Sequence, residues 1–224
     1  MTEVAWITTK MPLYMLRRYP AEWDGRKARL FWCACMRRAW DQVTDERTRQ
    51  LVASVEDRAE VEKDTFVREF DHVFRPYFDV VHRRAQSFFS DYWVLDTFLS
   101  APPESLMSLV SEIAHRRALA ASGTAMFTKP YDDVEAAEKA WQCDLIREVF
   151  GNPFRPVNVS PWLTSDVVAL ARGIDEERAF DRMPILADAF QDAGCDDVNV
   201  LDHCRQPREH VRGCWVVDLV LGKG

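Results

Sequence analysis

Apolar residues recur along this chain at three- and four-residue intervals, the spacing of one helical face. The clearest run is Phe66, Phe70, Val73, Phe74, Tyr77, Phe78 and Val81. Pro76 should kink or split it, because proline lacks the N–H that an interior turn needs. "GRKARLFWCACMRRAWDQV" is apolar nearly all round from Leu30 to Met36, with arginines at both ends, and predicts a buried central helix. The next helix is expected to be capped by Thr44, with Asp45 and Glu46 in its first turn and a stripe of Leu51, Val52, Val55 and Ala59. "SFFSDYWVLDTFL" reads as another apolar helix. Pro102 and Pro103 open a further one, striped by Leu106, Leu109, Val110 and Ile113. Asp132 or Asp133 should cap a helix with Val134, Ala137, Trp141, Leu145 and Val149 on one face, ended by Gly151.

The pattern changes after Gly151. "GNPFRPVNVSPW" carries three prolines, reads as irregular, and is the expected seam; "VNVSPW" is its one candidate strand. Short helices follow, starting at Thr164 or Ser165, near Pro184, and at Asp196 or Asp197. A final helix is expected to start from Pro207. The reading is an all-α fold: a long-helix bundle over residues 1–150 and a compact C-terminal helical subdomain over 151–224. Eight glycines in 224 residues agree with it, since sandwiches and barrels need more turns.

Charge narrows the function classes. Residues 1–40 hold eight Lys/Arg against three Asp/Glu, whereas 131–224 hold ten against eighteen. The acidic end repels phosphate and argues against a broad nucleic-acid surface. The basic start leaves room for a local one built from Arg17, Arg18, Arg26, Lys27, Arg37 and Arg38. The competing expectation pairs those cations with the chain's own acids. No apolar run is long enough to span a membrane, and the start lacks a signal-peptide core, so the chain is read as cytoplasmic with reduced thiols.

Chemistry is sparse. There is no glycine-rich phosphate loop, HExxH or GxSxG. The densest cluster is His203, Cys204, His210 and Cys214. His210 and Cys214, four apart, would share a face of the expected final helix. His203 and Cys204 are adjacent and so diverge on a helix. Because the spacing fits no common zinc pattern, the reading is no metal and no cofactor; the alternative takes Cys204, His210 and Cys214 as ligands. Val211, Cys214, Trp215 and Leu219 are expected to face inward together. "CAC" at Cys33–Cys35 is read as core, the acids of "DEER" at 175–178 as helix surface, and His72, His82 and His115 as facing solvent.

Two stretches resemble a known group. "RKARLFWCACMRRAWDQVTDERTRQLV" (26–52) and the run from "LIREVFGNPFRPVNVSPWL" to "HVRGCWVVDLVLGK" (145–223) are similar to an all-helical family found mainly in planctomycete bacteria. That family often has cysteine where Met36 stands here and histidine where Asp41 stands, and it has no established function. The resemblance implies an accessory or interaction role. The leading expectation is therefore a non-enzymatic protein–protein interaction module, its partner met by Phe154, Arg155 and Trp162 on the irregular segment. Nucleic-acid binding through the basic start is the alternative, and a metal-bound fold the third.

Overall fold

The computed structural model describes residues 1–17, 25–41, 46–61, 111, 113–115, 117–121, 123 and 128–223. The stripe from Phe66 to Val81, the breaks at Pro76 and Pro102–Pro103, the Thr44 cap, His72, His82 and Arg18 lie outside them. The fold is all-α, with no strand among the described residues. Two compact units divide the chain, Met1–Asp144 and Leu145–Gly224. The division falls inside a helix, six residues before the proline-rich stretch expected to form the seam.

In the first unit, α1 (Glu3–Thr8) and α2 (Pro12–Leu16) precede α3 (Arg26–Arg38) and α4 (Glu46–Asp57). Leu30, Phe31, Trp32, Cys33, Cys35 and Met36 are all buried, so α3 is the central helix its composition predicts. Each large side chain removed from water contributes about 1.5–3 kcal/mol. The α4 stripe of Leu51, Val52, Val55 and Ala59 is buried as expected. Arg29 reaches past the end of α4 and donates to the carbonyls of Ala59 and Val61 at 2.6 and 2.9 Å. Those acceptors would otherwise lack partners at a helix C-terminus.

Helix α5 (Lys129–Phe150) starts before the aspartates expected to cap it, with Pro130 in its first turn. Its buried positions are Tyr131, Glu138, Gln142, Cys143, Leu145, Ile146, Glu148 and Val149, whereas Ala137 is exposed. The buried face is therefore rotated from the apolar stripe and takes in two carboxylates. Glu138 is accounted for within the first unit: Arg117 and Arg38 lie 3.0 and 3.6 Å from its Oε2.

The second unit continues through α6 (Ser165–Glu177), α7 (Met183–Asp192), α8 (Val198–Arg205) and α9 (Trp215–Leu221). Thr164 caps α6 by accepting from the Val167 N–H, and Asp197 caps α8 by accepting from Asn199 and Val200. The core comes from one face of each helix: Val167, Ala171 and Ile174; Leu186, Ala187 and Phe190; Val200 and Cys204; Val216, Val217 and Val220. The candidate strand at 157–162 is instead irregular chain ending in a 3₁₀ turn, Ser160–Trp162. Of the acids expected on the surface at 175–178, Asp175 is buried, with Lys223 Nζ 2.6 Å from its carboxylate.

Candidate metal centre

Four side chains of the second unit converge. Glu148 lies in the last turn of α5, His203 on the inner face of α8, His210 in the segment between α8 and α9, and Cys214 at the N-cap of α9. Their ligand-capable atoms all lie within 4.8 Å of one another. His203 Nε2 is 3.2 Å from Cys214 Sγ and 3.3 Å from Glu148 Oε2. His210 Nδ1 is 3.0 Å from Glu148 Oε1. Glu148, His203 and Cys214 are buried, and the His210 side chain is 5% exposed.

Local structure places each group. Gly151 ends α5 at φ +67°, and the indole of Trp215 packs where a side chain at 151 would stand. On α8 the buried face is Val200, His203 and Cys204. The expected helix from Pro207 does not form: residues 206–214 are non-helical and α9 starts at Trp215. Gly213 explains the break, because its φ of +92° cannot continue a right-handed helix. His210 and Cys214 therefore meet across a turn rather than along one helix face. Of the expected inward quartet, Cys214 is buried, Val211 and Trp215 are half-buried, and Leu219 is exposed.

Burial sets the proton balance. It lowers the pKa of His203 to about 4, partly offset by the Glu148 carboxylate, so the imidazole is neutral at pH 7. Burial alone would raise Glu148, but the hydrogen bond from His210, the neighbouring histidines and the Cys214 thiol outweigh it and lower its pKa. The Cys214 thiol is driven well above its ordinary value by burial and then by Glu148, against the amides of Val217 and Val216. The result is a buried carboxylate ringed by two imidazoles and a protonated thiol. Such a thiol, fully buried, is not an activated nucleophile. The set of one carboxylate oxygen, two imidazole nitrogens and one sulfur is instead a transition-metal donor set. A tetrahedron of zinc ligands has edges of about 3.3–3.6 Å; the three short contacts, at 3.0–3.3 Å, need to open by a few tenths of an ångström, and the widest pairs, up to 4.8 Å apart, need to close by about one.

The sequence reading singled out His203, His210 and Cys214 but gave the alternative metal set as Cys204, His210 and Cys214. Cys204 is not in the converging group: it faces the core of the unit, its thiol pushed up to about 12 by burial, with Glu148 and Cys195 adding. Glu148 was missed, being 55 residues before His203 and inside a run read only for apolar period.

The other expected sites are distributed differently. Phe154 and Trp162 are half-buried rather than exposed, Trp162 against the second unit's core; Arg155 is exposed. Of the basic set, Arg26 is buried and paired with Glu60 at 2.6 Å, Arg37 with Glu56 at 2.5 Å, and Arg38 with Glu138. Lys27 is half-buried and Arg17 exposed. His115 is half-buried, its Nδ1 2.5 Å from the Tyr131 hydroxyl. No helix among the described residues is long and apolar enough to cross a membrane. Searches against protein-family models, curated proteins and solved structures return no match to this chain.

Proposed function

We propose that the second unit is a metal-stabilised module that holds a zinc-class divalent ion through Glu148, His203, His210 and Cys214. The observation that supports it is the convergence of four donor atoms of suitable chemistry within 4.8 Å in a buried site. Four protein ligands leave no open position, which is the arrangement of structural rather than catalytic zinc. The ion would replace the hydrogens now shared with the carboxylate, and its binding energy would add to folding energy. Equilibrium dialysis of the full chain with zinc tests the proposal, alongside cobalt substitution. The expected result is one ion per chain, a sulfur-to-cobalt charge-transfer band, loss of both in Cys214→Ser and His210→Ala, and a chelator-induced fall in thermal stability that zinc reverses. Absence of stoichiometric zinc or cobalt would overturn it.

A second reading, engagement of another protein, is favoured by a separate observation in the first unit. Val4, Ile7, Met11 and Tyr14 are exposed, at 71%, 54%, 65% and 46%. Val4 and Ile7 share a face of α1, and Met11 and Tyr14 follow after the extended break at residues 9–11, so the first fourteen residues carry four exposed apolar groups, whereas Phe154 and Trp162 are half-buried. Cross-linking in the native host, compared between the wild type and Ile7→Lys, tests it; a cross-link pattern unchanged by the substitution would remove these groups from consideration.

A further inference from the structure

The metal reading leaves one contact unexplained. The indole N–H of Trp215 donates to Nδ1 of His203 at 3.0 Å. An indole nitrogen can only donate. Nδ1 must then carry a lone pair, and the single hydrogen of the neutral imidazole sits on Nε2. That nitrogen faces the Glu148 carboxylate and the Cys214 sulfur, both able to accept. The metal-free arrangement is thus complete in hydrogens around His203.

A metal ion on Nε2 needs the lone pair that this hydrogen occupies. Moving the hydrogen to Nδ1 would set it against the indole N–H, donor facing donor. Metal-bound histidines ordinarily donate their outer N–H to an acceptor, and here the outer partner is a donor. The ring has little freedom to turn away. It is buried, and the rings of Trp215 and His210 meet it edge-on, with centroids 5.0 and 5.1 Å away. His210 carries no such restraint, because its outer nitrogen, Nε2, is buried without a hydrogen-bond partner.

We propose that Trp215 is a positioning residue that governs metal uptake: by donating to Nδ1 it holds His203 in the Nε2–H form, so an ion gains its fourth ligand only when that hydrogen is displaced and the indole contact is broken. The inference rests on the metal reading above and adds the control of occupancy to it. Glu148, His210 and Cys214 would take the ion first. His203 would join as its Nε2 hydrogen leaves as a proton to solvent and Nδ1 takes up one from solvent in exchange, which keeps the ring neutral and requires the Trp215 N–H to turn away.

Zinc affinity of the full-length wild type and of Trp215→Phe, measured by competition with a chromophoric chelator, tests this. Phenylalanine keeps an aromatic ring beside His203 and removes the N–H donor, together with the second ring of the indole, so hydrogen exchange must first show the variant's second unit folded. The expected result is zinc binding about tenfold or more tighter in the variant, from the removal of a buried donor–donor conflict. Wild-type binding with equal or weaker binding by a folded variant would overturn the role of Trp215 and leave the metal centre standing. Binding by the variant alone would support the lock as closed in the wild type and overturn the metal-stabilised reading of the native chain. Absence of binding in both would overturn the lock and the metal centre together. Nitrogen-15 imidazole spectra of the metal-free wild type give a reading that needs no variant. His203 is expected in the Nε2–H form, with the Trp215 indole resonance moving on addition of zinc; an Nδ1–H form would overturn the inference.

Discussion

Replacing Gly151 by alanine adds one methyl group in front of the indole of Trp215. A Cβ at this position would lie 3.2 Å from Cγ, 3.3 Å from Cδ2 and 3.5 Å from Cβ of that side chain. Two effects add. The backbone stands at φ +67°, in the left-handed region, where an L-residue is disfavoured by roughly 1–2 kcal/mol. The tryptophan must also shift by a few tenths of an ångström, and overpacking of this kind costs about 1–3 kcal/mol. A loss of about 2–5 kcal/mol is expected in the second unit. Gly222 supplies the control. It has nearly the same φ, +65°, but a Cβ there meets nothing within 4 Å, so Gly222→Ala carries the backbone effect alone. Hydrogen exchange of amides in α6, α7 and α8, measured for both variants in the full chain, isolates the second unit from the first. Equal losses in the two variants would refute the Trp215 contact, and with it the packing that sets the indole against His203.

Acid should weaken the metal-free second unit before the rest of the carboxylates titrate. His203 is lowered to about 4 in the fold from about 6.5 unfolded, so the unfolded chain binds the extra proton first and stability falls as pH drops between those values, by about 3 kcal/mol in all. Glu148, whose pKa is lowered, adds to the loss at still lower pH. Urea midpoints that stay flat from pH 7 to 4 would contradict the His203 effect, and no further fall below pH 4 would contradict that of Glu148. Glu148→Ala removes the acceptor of the His210 hydrogen bond and the carboxylate 3.3 Å from His203 and should cost the second unit about 3–5 kcal/mol, read by the same hydrogen exchange; a loss under 1 kcal/mol would show that the donors find other partners. Glu138→Gln in the first unit should be milder, about 1–2 kcal/mol, because Arg38 and Arg117 remain partly exposed and can turn to water. Single-stranded DNA should be bound negligibly at physiological salt, since Arg26, Arg37 and Arg38 already face Glu60, Glu56 and Glu138; a salt-dependent affinity would restore the basic start as a surface.

Apolar period carried the helical class, the buried stripe of α4 and the burial of α3, because in those places burial and hydrophobicity coincide. It failed where burial is polar. In the first part of α5 the inward face runs through Glu138 and Gln142, so a stripe drawn through Val134, Ala137 and Trp141 points about one residue aside. Glu148 could have been suspected from one signal only: it stands between the apolar Ile146 and Val149, where a carboxylate has no reason to be unless something meets it. The histidines and Cys214 were legible as a cluster but not as a geometry. Pro207 suggested a helix start, while Gly213 decided the matter by breaking the chain one residue before Cys214. That break lets His210 and Cys214 approach Glu148 from different directions, which no single helix would allow.

The chain order of the four converging residues has a consequence for how the second unit is made. Glu148 belongs to the first turns of that unit and its partners all follow α7, so the carboxylate meets none of them until the segment from His203 exists and not the last until Cys214 does. Closing a loop of that length costs several kcal/mol of chain entropy before any contact offsets it. During synthesis from the N-terminus, α6 and α7 can emerge and pair while Glu148 remains hydrated. Its full enclosure must wait for α9, so the burial of this one carboxylate marks the completion of the second unit.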